Sequence, residues 1–203
     1  MIIEPKEVFR LQQILWPDIC FYDKQALVIE SSFTCPETYV VAGNQLGKDF
    51  VAAFIALAAF LMCLSRGLTC RIVTTSVAEH HLRVLWGEIS RFITTARRPL
   101  LYDSVKAPAG ILVLNYQEVR RTEERAAKNP LNYLVGRVSQ KGEGLAGHHA
   151  EFTMFVGDEA SGLDNAAYKA AQGWAKYMLI FGNPNPCRNF FYDAVEGGDI
   201  LAT

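Results

Sequence analysis

Tyr39-Val40-Val41-Ala42-Gly43-Asn44-Gln45-Leu46-Gly47-Lys48-Asp49-Phe50 decides how the rest of the chain is read. A short β-branched run meets a glycine-containing loop, and the residues from Phe50 to Leu64 then continue almost wholly apolar. Strand, loop and helix in that order are the context a phosphate-binding loop requires. Backbone N–H groups and a helix N-terminus point at an anion there, and a lysine reaches the outer phosphates. Against the pattern G-x-x-x-x-G-K-[ST], Gly47 and Lys48 fit. Ala42, with Gly43 beside it, replaces the first glycine, and Asp49 stands where the Mg²⁺-binding hydroxyl belongs. A G-K pair after a strand also fits an ordinary βα turn, so a second element has to decide.

That element is Phe152-Thr153-Met154-Phe155-Val156-Gly157-Asp158-Glu159. Apolar residues run into two consecutive acids at the C-terminal end of a strand, where ligands collect in open α/β sheets. Adjacent acids repel in a dry site unless a cation or solvent is close. With a Mg²⁺-nucleotide, Asp158 holds the metal through its water shell, and Glu159 orients and deprotonates the attacking water. A strand end with two solvated acids is the plainer alternative. A third piece, Lys176-Tyr177-Met178-Leu179-Ile180-Phe181, is another buried strand ending in Gly182-Asn183-Pro184. The Asn183 amide is placed to touch the terminal phosphate or its water.

With 203 residues, 50% hydrophobic and 20% charged, the chain reads as one globular domain of ordinary composition, 1–203, large enough for a sizeable core. Its net charge of −1 and pI near 6.4 exclude a basic field over the whole surface. Any nucleic-acid contact needs a local patch, a loop or an oligomeric ring. Cys20, Cys35, Cys63, Cys70 and Cys187 form no C-x-x-C pair, which points to buried thiols in a reducing compartment. The start of the chain lacks a basic segment leading into a long apolar one, so no signal peptide is expected. Phe50–Leu64 is short for a bilayer and is read as a buried helix, so no membrane partner is expected.

Elsewhere, Val8–Leu15 has helical spacing and stops at Trp16-Pro17. Phe21–Ile29 is a second helix-like stretch, in which Tyr22 offers a ring face and Gln25 a donor and an acceptor to an adenine edge. The same two residues also suit an ordinary amphipathic helix. Thr69–Thr75 is a strand by composition. In Ala78–Thr94, Leu82, Leu85, Trp86, Ile89 and Ile93 recur at three and four residues, predicting an amphipathic helix. His80 and His81 open it, and neighbouring helical residues face apart, which disfavours a metal site. Ile111–Leu114 and Tyr133–Val135 look like strands, with the mixed charges of Glu118–Lys128 between them expected as a solvated helix or loop. Gln140–His149 is a glycine-rich loop reaching toward a ligand or a neighbouring subunit. Arg97, Arg98, Arg120 and Arg121 are basic and paired in sequence, hence candidates for DNA contact.

Taken together, Phe21–Gln25, Val41–Lys48, Leu85-Trp86-Gly87-Glu88-Ile89, Glu143–Glu151, Asp158-Glu159-Ala160-Ser161-Gly162 and Gly182-Asn183-Pro184 resemble the ATPase domain of the large terminase subunit of tailed bacteriophages. The resemblance covers nearly the whole chain from about Leu15. It implies a three-layer, additional-strand P-loop NTPase of the catalytic-glutamate type with a mainly parallel central sheet. Residues 1–35 become an adenine-side segment. Tyr22, Gln25, Gly43, Asn44, Gln45, Leu46, Gly47, Lys48 and Asp49 become nucleotide-binding residues. Lys48, Glu159 and Asn183 become catalytic, and Asp158 and Asp49 become metal-side residues. The implied cofactors are ATP and Mg²⁺; the implied partners are double-stranded DNA, a portal protein, a small terminase subunit and further copies in a ring, the isolated domain being monomeric. The implied location is the host cytoplasm, transiently at the procapsid portal. Large terminase subunits also carry a nuclease domain, which is not expected within these residues.

Two departures stand out. Asp49 replaces a serine or threonine, and a carboxylate beside triphosphate is repulsive by roughly 4 kcal/mol for unit charges about 4 Å apart at an effective dielectric of about 20. Mg²⁺ has to offset that, so nucleotide binding is expected to be weak and strongly Mg²⁺-dependent. Ala146 stands where many relatives place an arginine that acts on the neighbouring subunit; Arg137 and Lys141 are the substitutes, and intrinsic hydrolysis is expected to be slow. Two other readings share the motifs. One is a helicase-like nucleic-acid translocase, and the other a degenerate docking module with little hydrolysis.

Overall fold

A computed structural model describes residues 3–43, 46–138, 145, 147–183 and 188–197. The helices are α1 (Pro5–Leu15), α2 (Asp23–Thr34), α3 (Lys48–Ser65), α4 (Glu79–Thr95), α5 (Asn165–Gln172) and α6 (Phe190–Gly197). The strands are β1 (Glu37–Val41), β2 (Cys70–Thr75), β3 (Leu112–Asn115), β4 (Glu118–Arg121), β5 (Tyr133–Gly136), β6 (Phe152–Gly157) and β7 (Tyr177–Gly182). Among the described residues they form one sheet in the order β1-β7-β6-β2-β5-β4-β3, parallel except for β4 and β3.

Burial on both faces explains the near-continuous apolar strands. Successive side chains alternate across the pleat. Ile72, Leu134, Met154, Val156, Leu179 and Phe181 join a core built with α1, α2, α3 and α4. Val73, Val135, Phe155, Met178 and Ile180 join a second core with α5 and α6. Helices on both faces of the sheet make the three layers. The strand after β6 inserts between β1 and β6, so the additional-strand arrangement is present as expected.

The α3 helix is apolar all round because its neighbours cover it all round. It lies on the sheet beneath α1, α2 and α4, with Ala52, Ala53, Phe54, Ile55, Ala56, Leu57, Ala58, Ala59 and Phe60 at 1% exposure or less. By length and hydropathy it could cross a bilayer, yet most of it is enclosed by its own protein. An aromatic cluster docks the N-terminal segment onto it. Trp16 packs edge-on to Phe54 and Phe92, Phe21 lies 4.7 Å from Phe54, and the Trp16 indole N–H donates to the Phe92 carbonyl at 2.8 Å. That contact fixes where α2 begins, and therefore where Tyr22 and Gln25 sit.

Three expectations change. Glu118–Lys128 is not a helix or plain loop: Glu118–Arg121 is strand β4, antiparallel to both β3 and β5. Glu118 and Arg120 share one face of it and pair at 2.9 Å, both half-buried, while Val119 between them is fully buried. Thr122–Glu124 follows as one 3₁₀ turn. Secondly, Cys63 and Cys70 are buried but Cys20 and Cys35 are exposed; Cys187 lies outside the described residues. Thirdly, the rings of His80 and His81 approach to 4.0 Å instead of diverging. The short helices α5 and α6 were not anticipated, because each has only eight residues over which to show a period.

Candidate active site

Strand β1 delivers the first part of the site. After Val41, the Ala42 N–H still donates to the Gly182 carbonyl at 3.1 Å, so the chain leaves the sheet beside the end of β7. Gly43 follows; Asn44 and Gln45 lie outside the described residues. Leu46 is exposed, and its carbonyl accepts from the Tyr22 hydroxyl at 2.8 Å. At Gly47 the backbone favours glycine, and a larger residue would also crowd a neighbouring side chain. Its φ of +77° is left-handed, and a Cβ would come within 3.0 Å of the Gln25 amide nitrogen. Its carbonyl starts α3 by accepting from Val51 N–H at 3.0 Å. The first N–H groups of α3, with the positive end of its dipole, therefore face the C-terminal rim of the sheet.

Strands β6 and β7 deliver the rest. Asp158 N–H donates to the Thr75 carbonyl at 2.9 Å, prolonging the ladder with β2, and its side chain is buried. The Ser76 hydroxyl reaches Asp158 Oδ2 at 3.4 Å. Glu159 then turns sharply, with φ +52° and ψ +43°. Its carboxylate meets Lys48 Nζ at 3.6 Å and accepts from the Asn183 amide at 3.2 Å. Lys48 also donates to the Asn183 carbonyl oxygen, which closes a three-residue ring of contacts. The Lys48 side chain is only 8% exposed, and a buried ammonium is tolerable only with such partners. Lys48 at the start of α3, Glu159 just past β6 and Asn183 just past β7 meet at one point.

Negative charge exceeds positive charge around that point. Burial, then Asp49, then Glu159 push the Asp158 carboxyl up to about 7, against the opposing pull of a backbone hydrogen bond and of Lys48. Burial likewise raises Asp49, opposed by Lys48 and reinforced by Glu159 and Glu88. Such acids favour either a proton or a cation. Among the described residues no three His, Cys, Asp or Glu side chains converge closely enough to cage an ion alone. That donor set fits Mg²⁺, which keeps several waters and is held by one or two carboxylates together with substrate phosphates.

Arg137 lies elsewhere on the same rim. Its N–H donates to Thr74 O at 2.9 Å and its carbonyl accepts from Thr75 Oγ1 at 2.6 Å, just past β5, while its side chain is exposed. It does not join the Lys48 cluster. Lys141 and Ala146 lie outside the described residues. Arg97 and Arg98 follow α4, whereas Arg120 and Arg121 sit on β4 and are paired with Glu118 and Glu123. Sequence reasoning missed Ser76, and gave no role to Glu88, whose carboxylate is held by Arg91 at 3.1 Å while Arg91 covers the Phe50 ring. The only signal for Ser76 was a run of three hydroxyl residues ending β2, which acquires meaning once β2 is known to neighbour β6.

No protein-family model and no curated protein match the sequence. Solved structures of similar fold do. The HK97 bacteriophage large terminase superposes with a TM-score of 0.64 at 12% identity, over 98% of this chain and 42% of that one. The large terminase ATPase domain of Thermus phage P74-26 gives 0.64 at 15% identity, over 99% of this chain and 78% of that one. A point mutant of the same domain gives 0.63 at 17%, over 94% and 74%. The chain thus spans less than half the length of the HK97 protein. At these identities the likeness is one of fold.

Proposed function

We propose that the chain is the ATPase module of a viral DNA-packaging terminase, a Mg²⁺-dependent ATP hydrolase whose turnover moves double-stranded DNA into a procapsid. One observation carries the proposal: the lysine of the glycine loop, the second acid after β6 and the amide after β7 are in mutual contact at the C-terminal rim of the sheet. The fold shared with two phage terminase ATPase structures adds support.

In this reading the substrate's phosphates lie against the α3 N-terminus, and Lys48 exchanges its amide and carboxylate partners for phosphate oxygens. Tyr22 and Gln25 flank the base; Gly43, Asn44, Gln45, Leu46 and Gly47 wrap the phosphates. Glu159 accepts a proton from the attacking water. Asn183 touches both Lys48 and Glu159, so it registers whether the outermost phosphate is present. Mg²⁺, when bound beside Asp158 and Asp49, neutralises charge on the phosphoryl oxygens. Arg137 or Lys141 acts on the next copy in a ring, and DNA, a portal protein and a small terminase subunit are the partners in the host cytoplasm. An arginine supplied by a neighbour is worth about 10³–10⁵ in rate, so an isolated module hydrolyses slowly.

The test is phosphate release by the purified chain, wild type against Glu159→Gln, with Mg²⁺ and with EDTA. The expected result is slow Mg²⁺-dependent release that Glu159→Gln abolishes. Identical background rates would reject hydrolysis and leave a docking module. Strand separation on a tailed duplex without a procapsid would favour the helicase-like alternative.

A further inference from the structure

We infer that Asn189 is a positioning residue for hydrolysis, holding the turn that aims Glu159; the inference rests on the ATPase reading above. Asn189 follows β7 and immediately precedes α6, and it works in two directions. Its Oδ1 accepts from Phe191 N–H at 3.2 Å and Tyr192 N–H at 3.4 Å, the ordinary work of a residue capping a helix N-terminus. Its Nδ2 points the other way. It donates to the carbonyls of Ala160 at 2.8 Å and Leu163 at 2.9 Å, and lies 3.3 Å from that of Ser161. All three belong to the short 3₁₀ turn Ala160–Gly162 and its last neighbour, the turn that Glu159 begins.

That turn needs an external brace. Glu159 is held at φ +52°, a left-handed conformation that is unfavourable for a non-glycine residue and persists only where the surroundings enforce it. Within the turn, Gly162 N–H donates back to the Glu159 carbonyl at 2.9 Å, and Gly162 is pressed against Val77, where a Cβ would come within 2.9 Å of the side chain. Asn189 adds the donor contacts that tie the carbonyl side of the turn to the segment following Asn183. On that side the Phe191 ring packs onto Gly182, leaving 2.5 Å for a Cβ, directly before Asn183. One side chain therefore links the base-bearing turn to the element that follows the amide contacting both Lys48 and Glu159.

Capping alone requires only an acceptor, which Asp or Ser also supplies, whereas the brace requires the amide donor. Asn189→Asp keeps the first and removes the second; Asn189→Ser keeps a cap acceptor without adding charge near carbonyl oxygens, and replaces the two-donor amide by one hydroxyl on a shorter side chain. Single-turnover and steady-state phosphate release, Mg²⁺-ATP titration calorimetry and thermal melting of the purified chain test the inference, with Glu159→Gln as reference. The expected result is a kcat about tenfold lower in both variants, with KM and Mg²⁺-ATP affinity within about twofold of wild type and melting nearly unchanged. Should kcat stay within about twofold of wild type in both variants while Glu159→Gln is inactive, the brace is refuted and the ATPase reading survives. A fall in kcat that comes only with lower melting temperature and weaker nucleotide binding also refutes it, since that is the signature of a cap. If wild type and Glu159→Gln release phosphate at the same rate, both proposals fall.

Discussion

The end of β6 and the end of β4 both carry dense charge, and they handle it in different ways. Where β4 runs into the turn that follows it, Arg121 and Glu123 pair at 2.8 Å with 40% and 69% of their side chains exposed, so water does most of the solvating. At the rim, Asp158 is buried, Lys48 and Glu159 are 8% and 21% exposed, and Asp49 adds a further acid, so the groups solvate one another. The difference teaches that charge density alone does not mark a site. A charge withheld from water does, because its protonation and its partners then respond to whatever binds.

The comparison breaks most visibly at Glu159. Glu159→Gln is expected to lower phosphate release by about 10²–10⁴ while leaving ATP affinity within a few-fold, by single-turnover assay and calorimetry. Lys48→Ala should come next, weakening ATP binding by on the order of tenfold or more, because the proposed charge-assisted contact to phosphate is removed.

Asp158 sharpens the contrast through pH. Its folded-state value of about 7 lies above the ordinary carboxylate range, so the native state holds an extra proton in between. Its contribution to stability is complete below the ordinary range and is lost as pH rises through about 7. In Mg²⁺-free buffer, Asp158→Asn should therefore melt above wild type at pH 8 and close to it at pH 4. In the proposed reading Mg²⁺ competes with that proton, so Mg²⁺-ATP affinity of the wild type should rise between pH 6 and 8. Asp49→Thr is expected to raise ATP affinity several-fold in EDTA and to narrow the gap between EDTA and Mg²⁺; equal affinities in all four titrations would reject a role for Asp49 beside the phosphates. The smallest effect belongs to β4, where Arg121→Ala should melt within about 2 °C of wild type with phosphate release unchanged.

Much of this was legible because it is local. The β-branched run before the glycines, the apolar stretch through Leu64 and the spacing of Leu82, Leu85, Trp86 and Ile89 each announce an element through its own periodicity. Gly47-Lys48, Asp158-Glu159 and Asn183 could be picked out because strand ends are visible as places where apolar runs stop. The β4 strand was not, since four residues containing three charges show a pattern only beside a partner. Asn189 was not, since a lone asparagine is common wherever helices begin.

By itself the sequence determined most of the strands and helices, though not β4, α5 or α6, and that most strands are buried on both faces; hydrophobic pattern is a property of neighbours in the chain. Only the tertiary structure decided that β7 lies between β1 and β6, which brings Lys48, Glu159 and Asn183 into contact and sets Ser76 beside Asp158. Strand order is chosen by the packing of whole faces, and separations of 24 to 135 residues leave no local trace of it.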